Sequence, residues 1–147
     1  MIETALMCLA LNIYFEARSE PIQGQIAIAE VTLNRVASSK YPNDVCSVVL
    51  QENKEGCQFS WWCDGKSDQP REHNSLQTSK ALAELMLNEG RYITVIGDEA
   101  THYHNNEVYP YWADDLHRIR RIGKHIFYKT KDKNEWIRPM PRPKKIN

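Results

Sequence analysis

One proline fixes the layout of the first quarter of this chain. On its N-terminal side Ile2, Ala5, Leu6, Leu9 and Ile13 recur at helical spacing, and Met7, Cys8, Ala10 and Leu11 between them are also apolar, the pattern of a helix buried nearly all round. Pro21 disfavours helical backbone at Glu20 and suits the first turn of a new helix. The spacing therefore predicts a break near Ser19–Glu20 and a second helix from about Pro21 to Ser38. Its stripe is Ile22, Ile26, Ala29, Leu33 and Val36, and Gly24 near its start marks a close backbone approach. Two such helices need a core around them, and 147 residues with 41% hydrophobic content suffice for one core and hardly for two.

Further along, "TSKALAELMLNEG" predicts a third helix with Thr78/Ser79 as its cap, a Leu82–Leu85–Met86 face and Gly90 at its exit. "YITVI" and "HIFYK" read as short strands, so the expected class is α+β, mostly helical, with a small β element. Four cysteines, Cys8, Cys46, Cys57 and Cys63, allow three pairings that spacing does not choose between; Cys8 reads most simply as a small buried apolar residue. The net charge of zero is unevenly spread: residues 1–117 carry 8 Lys+Arg against 17 Asp+Glu, whereas residues 118–147 carry 11 against 2. The proline-rich end "RPMPRPKKIN" has no apolar period and is expected to be an extended basic tail, residues 138–147, following a single domain over 1–137. It would be either a solvated end or a means of attraction to an anionic polymer, nucleic acid or cell-wall and envelope polyanions. No apolar run is long enough to span a bilayer, and "ALMCLALNIYF" lacks a basic leader and a cleavage site. The expectation is a soluble chain made in the cytoplasm without an export signal of its own.

Glu16 is the residue that stands out. It falls in the last turn of the first helix, where the helix dipole repels negative charge, and it follows Tyr14 and Phe15; both circumstances raise a carboxyl pKa. A carboxyl kept protonated near neutral pH is what a general acid requires, and breaking a glycosidic bond needs one beside the leaving oxygen. The plainer alternative is a Glu16 that simply pairs with Arg18, Arg35 or a backbone amide.

The blocks "IYFEARSEPIQGQIAIAEVTLNRV", "YPNDVCSVVLQ", "CQFSWWCDG", "ATHYHN", "YPYWADDL" and "IGKHIFYK", in that order from about Ala5 to Lys129, resemble the SleB-like cell-wall hydrolase family. Its bacterial members digest spore-cortex peptidoglycan and its phage members attack the host wall. The resemblance implies a lysozyme-like fold, peptidoglycan glycan strands as substrate, and Glu16, first glutamate of the E-A-R-x-E block, as catalytic acid and base. It implies cleavage between N-acetylmuramic acid and N-acetylglucosamine, by lytic transglycosylation or else as a muramidase. Glu20 would be a second site carboxylate or a helix-junction residue. Gln58, Ser60 and Trp61 are expected to bind sugar, although one tryptophan of the Trp61–Trp62 pair could equally be core. His102, Tyr103, His104 and Asn105 are expected to line the groove opposite Glu16, with Tyr103 facing away from the two histidines on an extended strand. No cofactor or metal is implied. The chain ends without an attached wall-binding repeat domain, which favours a phage lysin, a virion-borne lysozyme or a small remodelling enzyme over a spore role, delivered to the wall by a pore protein or in the virion.

Three rival classes compete. A zinc amidase or endopeptidase could chelate through His102 and His104 with His73, His117, His125 or an Asp as a third ligand, although no H-E-x-x-H is present. A cysteine peptidase could use Cys57 or Cys63, although nothing local activates either thiol. A non-enzymatic wall-binding or virion module is the third; no nucleic-acid motif is present and no nucleic-acid partner is expected.

Overall fold

The computed structural model describes residues 4–54 and 56–131. The expected tail, residues 138–147, lies outside them. Helix α1 (Ala5–Ala17) starts where the Thr4 hydroxyl accepts the Met7 N–H at 3.1 Å, and it is buried from Cys8 to Tyr14. Pro21 sits just ahead of α2 (Ile22–Ala37), as the sequence predicts. Gly24 does lie close to another segment, since a Cβ there would meet the Ile122 side chain at 3.4 Å. Of the expected stripe, Ala29, Leu33 and Val36 are buried, Ile26 is partly buried and Ile22 is half exposed.

The short helix α3 (Val45–Val49) is capped by Asp44, whose carboxylate accepts the Ser47 N–H at 2.9 Å. Disulfides join Cys8 to Cys46 and Cys57 to Cys63, so Cys8 is buried as a bonded half-cystine rather than as a free thiol. The first of them ties α1 to α3. A two-stranded hairpin, β1 (Glu52–Asn53) with β2 (Gly56–Cys57), leads into a 3₁₀ turn at Ser60–Trp62.

Helix α4 (His73–Glu89) begins five residues before the expected cap. Thr78 instead lies inside it, donating its hydroxyl to the Asn74 carbonyl at 3.2 Å, and Ser79 is fully buried. The start is held from outside: the Tyr14 hydroxyl of α1 accepts the Arg71 and Glu72 N–H groups at 3.1 and 3.0 Å, satisfying backbone donors just ahead of the first turn. Leu82 and Met86 face the core as expected, while Leu85 is 41% exposed.

A three-stranded antiparallel sheet, in the order β3 (Ala100–Asn105), β5 (His125–Lys129), β4 (His117–Ile122), completes the fold. "HIFYK" is its central strand, but "YITVI" is not a strand at all. Its backbone is claimed by α2: the Glu30 carboxylate accepts the Val95 and Ile96 N–H groups at 2.8 and 2.6 Å. Asn34 donates to the carbonyls of Gly97 and Ala100, both at 2.8 Å. Helix α2 thus separates two apolar clusters. Leu9, Ile13, Val48, Phe59 and Met86 fill the side with α1, α3 and α4; Ala27, Ile28, Val31, Ile122 and Phe127 fill the side with the sheet.

Candidate active site

Helix α1 is enclosed from Cys8 to Tyr14 and opens in its last turn, where Phe15 and Glu16 emerge half-buried beside exposed Arg18. One turn earlier on the same face lies Asn12, wholly buried among apolar neighbours. Its carboxamide oxygen accepts the Trp61 indole N–H at 2.8 Å, and its nitrogen donates to the Thr32 hydroxyl at 3.4 Å. Tyr103 enters from β3. Its ring packs against Phe59, His125 and Phe127, with centroids 5.3 to 6.3 Å away. Its buried hydroxyl interacts with the Glu16 carboxyl and the Asn12 side chain without reaching ordinary hydrogen-bond geometry to either.

These surroundings set the acidity of Glu16. Burial pushes its carboxyl from 4.5 up to about 7, against the pull of the Arg35 guanidinium and the Tyr103 hydroxyl. Burial, and then the Glu16 charge, also raise the Tyr103 phenol well above its ordinary value, so it stays protonated. Arg35 is itself buried: its Nε donates to the Thr101 carbonyl at 2.8 Å, its guanidinium lies over the Tyr41 and Phe59 rings at 5.0 and 5.3 Å, and one terminal nitrogen has no partner. Arg18 is engaged elsewhere, 3.1 Å from Glu72 and over the Tyr14 ring. Simple neutralisation of Glu16 by an ion pair is therefore not what the structure contains among the described residues.

The other expected site residues divide sharply. Glu20 does not extend along the face of Glu16; its carboxylate accepts the Lys124 N–H at 2.7 Å and lies 3.2 Å from His125 Nδ1, bracing the β4–β5 turn. Gly123 in that turn has φ +56°, and a Cβ there would fall 2.7 Å from Glu20 Oε1, so glycine is required on both counts. Trp61 is the core tryptophan of its pair: it is 6% exposed, with one face stacked on Phe15 at 4.9 Å and its indole N–H spent on Asn12. Gln58 and Ser60 are exposed on the loop closed by Cys57–Cys63, and Trp62 beside them is half-buried.

Strand alternation places Tyr103 towards Glu16 and turns His102 and His104 to the opposite face, against Trp112 at 5.1 and 5.7 Å. The two histidines therefore do not line the Glu16 side with Tyr103. His102 is held neutral at pH 7, its pKa lowered to about 4 by burial and then by the Arg35 and Lys40 charges. His104 donates from Nδ1 to the Asn105 carbonyl at 2.8 Å and accepts the Tyr128 hydroxyl at Nε2, 2.7 Å away. Asn105 is exposed and accepts the Glu107 N–H with its side chain, closing the turn after β3. Asn12 is the site residue that sequence reasoning misses; the available signal was one carboxamide inside an otherwise apolar helical run. Arg35 is named from sequence only as a counter-charge, and its place between β3 and Glu16 depends on tertiary packing.

The rival chemistries lose their ligands. Among the described residues, the one cluster with three metal-ligating side chains is Glu52, Cys57 and Cys63, and its two sulfurs are bonded to each other. No histidine belongs to it, and all four cysteines are paired, which leaves no thiol nucleophile. No helix among the described residues is long and apolar enough to cross a membrane.

Comparison with known proteins matches the family described as Cell Wall Hydrolase over residues 19–128, a span that opens just after Glu16. The spore cortex-lytic enzyme of Bacillus subtilis (strain 168) is 35% identical over 124 residues, covering 81% of this chain and 35% of that protein. That of Bacillus cereus is 28% identical over 124 residues, covering 84% and 44%. The chain thus spans less than half the length of these curated relatives. Among solved structures, the catalytic domain of the germination-specific lytic transglycosylase SleB from Bacillus anthracis superposes with a TM-score of 0.68 at 32% identity, covering 85% of this chain and 93% of that one. The catalytic domain of the Bacillus cereus SleB protein gives 0.62 at 28%, covering 88% and 93%. The lysozyme-like α+β fold expected from the sequence is the fold found.

Proposed function

This chain belongs to the cell wall hydrolase family, and from that premise we propose that it cleaves the glycan strands of peptidoglycan by lytic transglycosylation, with Glu16 as the single catalytic acid and base. The observation that carries the proposal is the half-buried Glu16 carboxyl, raised to about 7 and hence substantially protonated at neutral pH. In the first step it gives its proton to the glycosidic oxygen between N-acetylmuramic acid and N-acetylglucosamine, and the bond breaks with positive charge developing on the muramic ring. In the second, the new carboxylate takes the proton from the muramic C6 hydroxyl as that oxygen closes the anhydro ring. Arg35 and Tyr103 favour the carboxylate that exists between the two steps.

A single carboxylate is favoured over a muramidase pair because, among the described residues, no acidic side chain is among the groups acting on Glu16, and Glu20 is committed to the β4–β5 turn. Mass spectrometry of products from purified peptidoglycan tests this: anhydro-muramoyl ends are expected. Fragments that have all gained one water would replace transglycosylation with hydrolysis. Action as a phage lysin delivered by a pore protein or a virion belongs to the same proposal and rests on the sequence resemblance to phage members; capture of envelope polyanions by residues 138–147 rests on their charge.

The acid role also gives a pH signature. Turnover should fall as pH rises through about 7, where Glu16 loses its proton. Tyr103→Phe keeps the packed ring and removes a hydroxyl that holds the Glu16 pKa down, so the alkaline limb should move to higher pH. Loss of the hydroxyl's interaction with the charged intermediate should also cost roughly tenfold or more in turnover. A pH–rate profile of the variant superimposable on the parent's would remove Tyr103 from contact with the acid.

A further inference from the structure

The sheet has a second face that the catalytic proposal does not use. Cross-strand partners in an antiparallel sheet project to the same side, so Tyr103, Phe127 and Arg120 face α2 together. The rows His102–Tyr128–Arg118 and His104–Ile126–Arg121 face the other way. Trp112 lies on those outer rows, edge-on to Tyr128 at 5.3 Å. Tyr109 lies beside it, 6.1 Å from His104 and held by a hydrogen bond from its hydroxyl to Asp114. Between them Tyr111 is 87% exposed, Tyr109 is 69% exposed, and Arg118 and Arg121 are exposed at the edge strand. Solvent-facing rings on the turn before Trp112 thus accompany two exposed arginines on the same side of the sheet, Arg121 being held by the Gly123 carbonyl, which accepts from its Nε at 2.7 Å.

We propose that this outer face docks a peptidoglycan strand other than the one being cut. The inference rests on the family reading above, and it adds a wall-binding surface within the catalytic domain. Flat aromatic faces pack against the C–H faces of pyranose rings, and arginine forks match carboxylates. Peptidoglycan presents both in one polymer, as sugar rings bearing acidic peptide stems. A docked strand cannot be the scissile one, because β3 stands between this face and Glu16. The remaining residues, 132–147, carry 5 Lys+Arg against 2 Asp+Glu and are a poor charge match for Arg118 and Arg121.

Co-sedimentation of the Glu16→Gln protein with purified sacculi isolates docking from turnover. Adding Tyr109→Ser, Tyr111→Ser, Arg118→Gln and Arg121→Gln together should weaken that binding at least tenfold, with the thermal melt retained. The arginine pair's share should shrink with added salt and the tyrosine pair's share should persist. Binding equal to the Glu16→Gln parent would overturn the inference, and so would a parent that does not sediment with sacculi. Self-association through Tyr109 and Tyr111 in ultracentrifugation would assign the face to a second copy and overturn it likewise. Cleavage of peptidoglycan by the unmutated protein is read separately, so failure of the docking face and failure of the proposed function are told apart.

Discussion

Glu16→Gln should leave a folded protein whose turnover of peptidoglycan is at least roughly a hundredfold lower, the lower range for removal of a general acid. The amide has nearly the shape of the carboxyl and can neither give nor recover a proton. The same substitution should raise stability at alkaline pH. Glu16 binds its proton more tightly in the fold, at about 7, than at its ordinary 4.5. Its contribution is therefore fully favourable below about 4.5 and is lost as pH rises through about 7. The difference corresponds to about 3 kcal/mol of folding free energy by pH 8. Glutamine has nothing to ionise, so the variant's melting temperature should gain on the parent's between those two pH values. An inactive variant with that gain is a folded enzyme lacking its acid; turnover within a few-fold of the parent would take Glu16 out of the mechanism.

The second large effect is expected from Cys8→Ala with Cys46→Ala. This disulfide closes 38 residues of chain and fastens α1, which bears Asn12 and Glu16, to α3. Loop-closure entropy for that length gives about 4 kcal/mol, close to a thousandfold in the folding equilibrium. The Cys57–Cys63 bridge closes only six residues and should contribute about 2 kcal/mol. Denaturant titration with and without reductant measures both. A doubly substituted chain with an unchanged midpoint would mean that the Cys8–Cys46 bond does not form in solution.

The first two helices were legible because their signals are local: an apolar period on either side of Pro21. The start of α4 was not, since its backbone donors are met by the Tyr14 hydroxyl, 57 and 58 residues earlier, and not by a cap in its own sequence. Strand β4, "HRIRRI", carries four cationic or titratable side chains in six residues and gives no strand pattern; it pairs only at the sheet's edge, where charge is tolerated. "YITVI" has the composition of a strand, and the hydrogen bonds from Glu30 and Asn34 override it. At the site, position made Glu16 a candidate and alternation set Tyr103 opposite the two histidines, while the expectation that Tyr103 lies across from Glu16 came from the family resemblance. Trp61 and Glu20 were not readable, because a buried partner, Asn12 for one and the Lys124–His125 turn for the other, decides where each points.

The polar side chains by which α2 grips the later chain have a consequence for synthesis. Glu30, Asn34 and Arg35 find their partners 63 to 66 residues further on. At roughly 5 to 20 residues per second, several seconds separate translation of α2 from that of the segment it holds. Until the chain from Val95 on has left the ribosome and docked, α2 can pack against its helical neighbours but has none of these backbone partners. The last packing contacts of an early helix are therefore set by chain made seconds later.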